Sequence, residues 1–567
     1  MIGLFAIFKN KSIQGFTNNI DNNRFVERQY VDENLYINST TLMKFKEDKI
    51  FITSDDCVVA TDGVIVNSNE NSLSTTIANS YFSGSLHQLL AQLRGSFSGI
   101  IFDKKNKKIC AYTDHFSTKP LFYYQFHDGI IISSEIYAIV SCLKKFNESI
   151  KINKIGAYSM LTYGYMYKDY TLVEGIHRIK EGTVLYYSNG NLSFTKYHNF
   201  SFDEKHIDFD EAIDKIDFLF KQAVGLQYQK NKKCGYLDVV PMSAGMDCRM
   251  TSFVLRKMSN DPIINFTYSE TSQYDEVESA KMAKALKNKW IFKSLDNGLD
   301  LLSIDRAIKL SDGLIKYDWP AQLIDFLNFM NTEKWGIVHT GVIGDIIIGS
   351  FEKDPSYHRK YIIGDGAFSN TLINKLRILL RDSGDTDDYS YEYGMLINRA
   401  INGACLGYSR TFRLFVEDLS PFMNVDLADF CFSLPQKYRR NHLIYYEWVK
   451  RKYPLAASFK HNGIRIDGNA SIKYHGKRYT YKSLPDVVTN KIKRDIIKKG
   501  YGMNPLQTWI DSNSKLRNTM NNYFEENYKN VMIDEELKKD IFSLYYNGTA
   551  IEKILAISLL GNINNIL

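Results

Sequence analysis

From about residue 205 the chain alternates long helical periods with short apolar runs. DEAIDKIDFLFKQAVGLQ spaces its apolar residues three and four apart, as one buried helix face requires. Apolar runs at 236–242, 262–268 and 336–340 are short enough to be buried strands. Strands separated by helix-length segments predict a parallel sheet with helices on both faces. Before residue 200 the pattern is different. IGLFAIF, KIFIT, GSFSGIIFD, KICAYTD, PLFYYQF and GIIISSE are divided by Asn, Asp, Gly and Lys clusters, which predicts hairpin-like strands, with a helical HQLLAQL before Gly95. The polar, acidic stretch Ser201 to Ile207 is the expected linker, so the reading is two domains, 1–204 and 205–567. The tail from Leu506, including DEELKKDIFSLYY and IEKILAISLL, reads as amphipathic packing helices. No repeat of about 20–50 residues is visible.

The stretch with most chemical content is Tyr236 to Met258, YLDVVPMSAGMDCRMTSFVLRKM. Its apolar run ends at Ser243-Ala244-Gly245 and a helical segment follows. A short Ser/Gly loop opening a helix behind a parallel strand gathers unpaired N–H groups and favours an anion such as phosphate; an ordinary strand-to-helix turn reads the same way. Asp247, in that loop, is placed to hold a metal ion against phosphates. After the second strand, Asp275 and Glu278 match a capping box and read as helix-start residues. The third strand runs into Thr340-Gly341-Val342-Ile343-Gly344-Asp345. Strand carboxyl ends line one crevice of an open parallel sheet, so Asp345 is expected to face Asp247 there, and two carboxylates beside phosphate suit Mg²⁺.

Composition narrows this little. The chain has 567 residues, 44% hydrophobic and 24% charged, enough for several cores and too apolar for a wholly disordered chain. A net charge of +7 over that length is mild, and with no basic tract it gives no nucleic-acid footprint. Seven cysteines without CxxC or Cys/His spacing argue against a disulfide framework or a zinc site. No run of about 18 apolar residues occurs and MIGLFAIFKNK is too short for a signal core. A soluble, reducing, cytoplasmic protein is expected, with no membrane span and a homodimer left open.

With these residues in place the chain resembles the asparagine synthetases and their ATP-dependent relatives. SAGMDC at Ser243 to Cys248 stands where that family has SGGxDS, and GVIGDI at Gly341 to Ile346 where it has GEGxDE. LRGSFSGIIFD, TDHFSTKPLFYY, SSEIYAI, GIHRIKEGTVL and DLADFCFSLPQKYR resemble further family segments in the same order. The resemblance implies an α+β, glutaminase-like (Ntn-type) antiparallel sandwich followed by an α/β, adenine-nucleotide α-hydrolase-like domain with a parallel sheet and a helical C-terminal part. It also implies ATP and Mg²⁺ as cofactors, and an acyl-adenylate made from a carboxylate and attacked by ammonia or an amine. By position, Ser243, Gly245 and Cys248 would hold pyrophosphate, with Ala244 in the same ATP-binding loop, Asp247 and Asp345 would hold the metal, and Tyr268, Thr340 and Gly341 would approach the nucleotide. Arg249 would add a phosphate contact, or else face solvent. The family lysine corresponds either to Lys460 in SFKHNGIRI, the preferred candidate, or to Lys498 in IIKKGYGMNPLQTW.

Two departures bear on function. Family glutaminases begin Met-Cys-Gly, and their cysteine is the nucleophile; Ile2 stands there and has no nucleophilic atom, so glutamine hydrolysis is expected to be absent, as in the β-lactam synthetase branch. Both glutamates of the GEGxDE turn are replaced, by Val342 and Ile346, which argues against aspartate as substrate. The expected carboxylate is a small molecule, a peptide or a saccharide, such as a uronic acid of polysaccharide clusters. Asparagine synthesis with ammonia from elsewhere and a catalytically silent scaffold are the alternatives.

Overall fold

The computed structural model describes residues 2–9, 23–68, 73–352, 359–385, 389–461, 463–467, 471–474, 477–480, 485 and 503–567. Lys498 lies outside the described residues.

The first part of the chain builds two six-stranded sheets. One runs, edge to edge, Ile176–Arg178, Phe122–Gln125, Gly129–Ser133, Gly3–Lys9, Leu35–Leu42, Phe25–Val31; the other runs Asn191–Lys196, Thr183–Ser188, Lys108–Thr113, Gly95–Asp103, Cys57–Ile65, Phe51–Thr53. Every pairing is antiparallel, for example Ile7 opposite Tyr36 and Val59 opposite Ile101. Side chains alternate across a strand, so Leu4, Ala6 and Phe8 of one sheet meet Val58, Ala60, Ile100 and Phe102 of the other in a shared core. The opposite residues, Phe5 and Ile7, pack outward against the helices Ile136–Lys145 and Lys154–Tyr163. Val59 and Ile101 pack against Leu73–Phe82 and Leu86–Gln92. The central strands of both sheets are therefore buried on both faces, which explains why they read as continuous apolar runs, while the edge strands Phe25–Val31 and Asn191–Lys196 stay partly exposed.

Residues 197–208 carry no helix or strand, and Asp208 then caps a 25-residue helix, Phe209–Lys233, by accepting the N–H groups of Asp210 and Glu211. The parallel sheet follows, ordered Lys289–Ser294, Ile263–Ser269, Leu237–Pro241, Trp335–His339, Glu417–Leu419. Its central strands match the three apolar runs. At its heart His339 bonds Asp238 (2.8 Å) and Gln227 (2.8 Å), joining two strands to the long helix through a buried polar network.

The C-terminal region is helical, but its last helix, Ala550–Ile566, is buried on all sides instead of being amphipathic. Its polar residues are spent on specific bonds. Glu552 closes a capping box on Thr549 and accepts the Ser369 hydroxyl at 2.6 Å, and Asn562 accepts the Gly313 N–H at 2.7 Å. Among the described residues no helix is long and apolar enough to cross a membrane.

The antiparallel and parallel parts meet across buried charge. Lys44 donates to the carbonyls of Thr332, Glu333 and Trp335 (2.8, 2.9 and 2.6 Å). Asp48 pairs with Lys230 at 2.8 Å, while Lys49 and Lys119 flank Glu417 of the edge strand at 2.6 and 2.7 Å.

Candidate functional site

The strand Leu237–Pro241 ends in a loop that opens the helix Asp247–Met258, and the adjacent strand Trp335–His339 ends in the turn carrying Asp345. Neighbouring parallel strands deliver their loops to the same edge, so the two aspartates meet. The Asp345 N–H donates to Asp247 Oδ2 at 3.2 Å, and Tyr445 donates its hydroxyl to Asp247 Oδ1 at 2.8 Å. The turns touch closely enough to require glycine: a Cβ at Gly344 would lie 2.7 Å from Asp247 Cγ, and one at Gly341 would lie 2.3 Å from the Cys248 nitrogen.

Electrostatics mark the pair. Burial pushes the Asp247 carboxyl well up from its ordinary range and Asp345 adds to this, while Tyr445 and peptide N–H groups oppose it. Asp345 is pushed up by burial too, moderated by His442 and Arg399. Two half-buried carboxyls, both raised by burial and one raised further by the other, are relieved by a cation between them. Among the described residues no cluster of three or more His, Cys, Asp or Glu side chains is arranged to hold a metal. The pair still fits Mg²⁺, which takes one or two carboxylates and completes its shell with phosphate oxygens and water.

The loop itself is partly self-satisfied. Asp275 accepts the Ala244 N–H at 2.9 Å, and Ser243 Oγ accepts the Gly245 N–H at 3.1 Å. The helix start at Asp247 lacks a side-chain cap. Burial and the neighbouring Asp247 push the Cys248 thiol up to about 12, so it stays protonated at neutral pH.

A model described as a glutamine amidotransferase domain matches residues 67–198. A Methanocaldococcus jannaschii protein provisionally named asparagine synthetase (glutamine-hydrolyzing) 2 is 22% identical over 272 residues, 44% of this chain and 52% of its own. Asparagine synthetase (glutamine-hydrolyzing) 3 of Bacillus subtilis is 28% identical over 137 residues, 24% of this chain and 22% of its own. Over these stretches the chain is similar to asparagine synthetases. It spans about half the length of the first of these relatives and about a fifth of the second. Among solved structures, a B. subtilis glutamine phosphoribosylpyrophosphate amidotransferase complexed with ADP and GMP aligns over 47% of this chain and 78% of its own, at 10% identity and a TM-score of 0.23, too loose to bear on function.

The structure brings Ser243, Ala244, Gly245, Asp247, Cys248, Gly341 and Asp345 together around the two turns. Tyr268 sits on the next strand, stacked on Phe266. Thr340 is buried beside Val342 on a cavity of about 40 Å³ that also touches Asp62, Lys119 and Asp418 at the junction with the antiparallel sheets. Two expectations change, and two residues join the site that the sequence did not announce. Arg249 does not face solvent: it is 0% exposed, and its Nη1 and Nη2 donate to backbone carbonyls. Asp275 and Glu278 form no capping box, because the helix Tyr274–Leu286 starts after Gln273 and both carboxylates bond other segments. Tyr445 and His442 come from a turn and helix distant in sequence. Asn441 and His442 both take left-handed backbone (φ 53° and 57°), and the closeness of His442 to Gly349, where a Cβ would lie 2.0 Å from His442 Nδ1, forces glycine there. Only the consecutive unusual turn residues before LIYYEW hinted at this approach.

Proposed function

We propose that this chain is an ATP-dependent, AMP-forming carbon–nitrogen ligase that adenylates a carboxylate and passes the acyl group to ammonia or an amine. The observation that carries the reading is the meeting of Asp247 and Asp345 at the carboxyl ends of adjacent parallel strands. A substrate carboxylate oxygen attacks the α-phosphorus of ATP, the bond to the β-phosphate oxygen breaks, and pyrophosphate leaves. The amine nitrogen then attacks the acyl carbon, AMP leaves with the electron pair of the C–O bond, and the nitrogen loses a proton. Negative charge builds on phosphoryl oxygens in the first step. Asp247 and Asp345 would hold Mg²⁺, which supplies charge neutralisation at those oxygens, and Lys460 is the preferred lysine to approach them.

The glutaminase-type (Ntn) part of the reading is that residues 1–204 keep the sandwich without the chemistry. The position before the first strand is Ile2, and Cys57, Cys110 and Cys142 are buried within the fold. A scaffold reading draws on the loop itself, since Ala244 and Gly245 already spend their N–H groups on Asp275 and Ser243. Pyrophosphate release from ATP and Mg²⁺ across a panel of amino-acid, peptide and uronic-acid carboxylates, with ammonia supplied, separates the two. Release that Asp247→Ala abolishes supports the ligase. No release together with no binding of an ATP analogue leaves the scaffold, and glutamate formed from glutamine refutes the silent sandwich.

A further inference from the structure

The peptide of Lys460 is held from both sides. Arg249 Nη2 donates to the Lys460 carbonyl at 2.7 Å and also to the Ala244 carbonyl of the loop at 2.8 Å, so a single nitrogen ties the loop to the lysine. Arg249 Nη1 donates to the carbonyls of Ala456 and Phe459 at 2.9 and 3.0 Å. On the other side Glu278, 4% exposed, accepts the Lys460 N–H on Oε2 at 3.1 Å, and its Oε1 pairs with Lys281 at 2.8 Å.

A fully buried guanidinium must find acceptors for its five N–H groups, and those acceptors fix its position rigidly because the fork is planar. Here four carbonyls, one from the loop and three from residues 456–460, accept from Nη1 and Nη2, while the buried Nε has no partner among the described residues. The cation therefore sets the distance between the loop that opens at Ser243 and the chain that carries Lys460. The carboxylate of Glu278 sets the tilt of that chain through the Lys460 N–H. Removing either leaves buried backbone groups without partners, and the lysine peptide is then free to shift. A shift of about 1 Å in a reacting or positioning group costs on the order of 100-fold in rate.

We infer that Arg249 and Glu278 are positioning residues that clamp the Lys460 peptide against the nucleotide loop so that its ammonium reaches the phosphates. This rests on the adenylating reading above and on Lys460 as the lysine of the site. The probe is Mg²⁺-pyrophosphate, titrated calorimetrically into full-length protein, with circular dichroism to confirm folding. Lys460→Ala and Arg249→Met are each expected to weaken binding ~10-fold, as for loss of one charge-assisted contact. The double variant should be no weaker than the poorer single one, because both act through the same lysine. Glu278→Ala is expected to weaken binding in the same coupled way, and Glu278→Gln, which keeps an acceptor, to restore it. Should Arg249→Met fail to fold, the Glu278 pair with Lys460→Ala completes the same cycle.

Losses that multiply in the double variant, or a Glu278→Gln as weak as Glu278→Ala, overturn the clamp. Wild-type pyrophosphate affinity in Lys460→Ala also overturns it, yet leaves the ligase reading intact if Asp247→Ala still abolishes Mg²⁺-ATP binding. Unchanged Mg²⁺-ATP binding in Asp247→Ala is the separate failure of the ligase reading.

Discussion

Replacing Gly344 by alanine adds one methyl group at the point where the two turns meet. Gly344 lies in the short helix Gly344–Ile347 and lacks the positive φ that would make alanine unfavourable in itself, so the effect is one of space. The new Cβ would lie 2.7 Å from Asp247 Cγ, 2.9 Å from its Oδ1 and 2.9 Å from Phe422 Cε2. That is about 0.8 Å inside the ~3.5 Å at which carbon atoms normally touch. Phe422 is fully buried and cannot yield, so the Asp247 carboxylate must move. Overpacking of this kind costs ~1–3 kcal/mol of stability. A displacement approaching 1 Å in a carboxylate proposed to bind metal is expected to reduce kcat/KM on the order of 100-fold, equivalent to ~2.7 kcal/mol. The assay is Mg²⁺-ATP titration and Mn²⁺ binding by paramagnetic resonance, with denaturant unfolding beside them. Gly225→Ala is the control: it makes the same chemical change inside the helix Phe209–Lys233, where the nearest atom is Met258 Sδ at 3.9 Å, and should be neutral or slightly stabilising. Wild-type stability and wild-type cation and nucleotide affinity in Gly344→Ala would refute the placement of Asp247.

Other perturbations probe the charges. Asp247 and Asp345 are both raised in the folded state, so the stability they contribute is full below the ordinary carboxylate pKa near 4 and is lost as pH rises through the raised values. Asp345→Asn should therefore flatten the fall in Tm with rising pH in metal-free protein and lack the Tm gain with Mg²⁺ expected of the wild type; identical pH profiles would count against the coupled pair. Tyr445→Phe removes one donor to Asp247 and is expected to weaken Mg²⁺ binding by ~0.5–1.5 kcal/mol, read by titration at pH 7. Lys119→Met leaves Glu417, whose side chain is 1% exposed, with Lys49 alone, and should cost ~3–5 kcal/mol in denaturant unfolding. Burial alone would raise Glu417, but Lys119 and Lys49 outweigh it and hold its carboxyl at about 2. That stability is present above the ordinary carboxylate pKa and is lost as pH falls toward 2, so Lys119→Met should also blunt acid unfolding.

What the sequence disclosed, and what it hid, follows from the range of the interactions. Val239, Val240 and Ile337 lie in apolar runs ended by glycine-bearing turns, a local signal, and the strands formed there. The meeting of Asp247 with Asp345 was legible because parallel strands send their loops to one edge whatever lies between them. Arg249 was not legible, since its acceptors Ala456, Phe459 and Lys460 come some two hundred residues later and no periodicity announces a buried guanidinium. Asp275 misled for a related reason: the pattern of a capping box was present, but its carboxylate found a better donor in Ala244, on another strand's loop. The final helix misled because its few polar residues suggested a solvated face, whereas Glu552 and Asn562 are buried and bonded to other segments.

The retained antiparallel half is best understood from the edge of the parallel sheet. Glu417–Leu419 is that sheet's last strand, and an edge strand must be covered or kept polar if it is not to pair with another chain. Here it is covered, and the cover is electrostatically specific: Lys49 and Lys119, both from the antiparallel half, surround the buried Glu417. A few residues away Lys44 of the same half inserts into three carbonyls at the start of the strand Trp335–His339, whose far end carries the turn with Asp345. Removing the antiparallel half would leave a buried carboxylate unpaired and three carbonyls unsatisfied beneath the strand that presents Asp345. Ile2 stands where the resemblance expects a cysteine, and the contacts made by Lys44, Lys49 and Lys119 do not involve its side chain. The sandwich itself is not dispensable, because the strand that positions the candidate metal ligand is anchored in it.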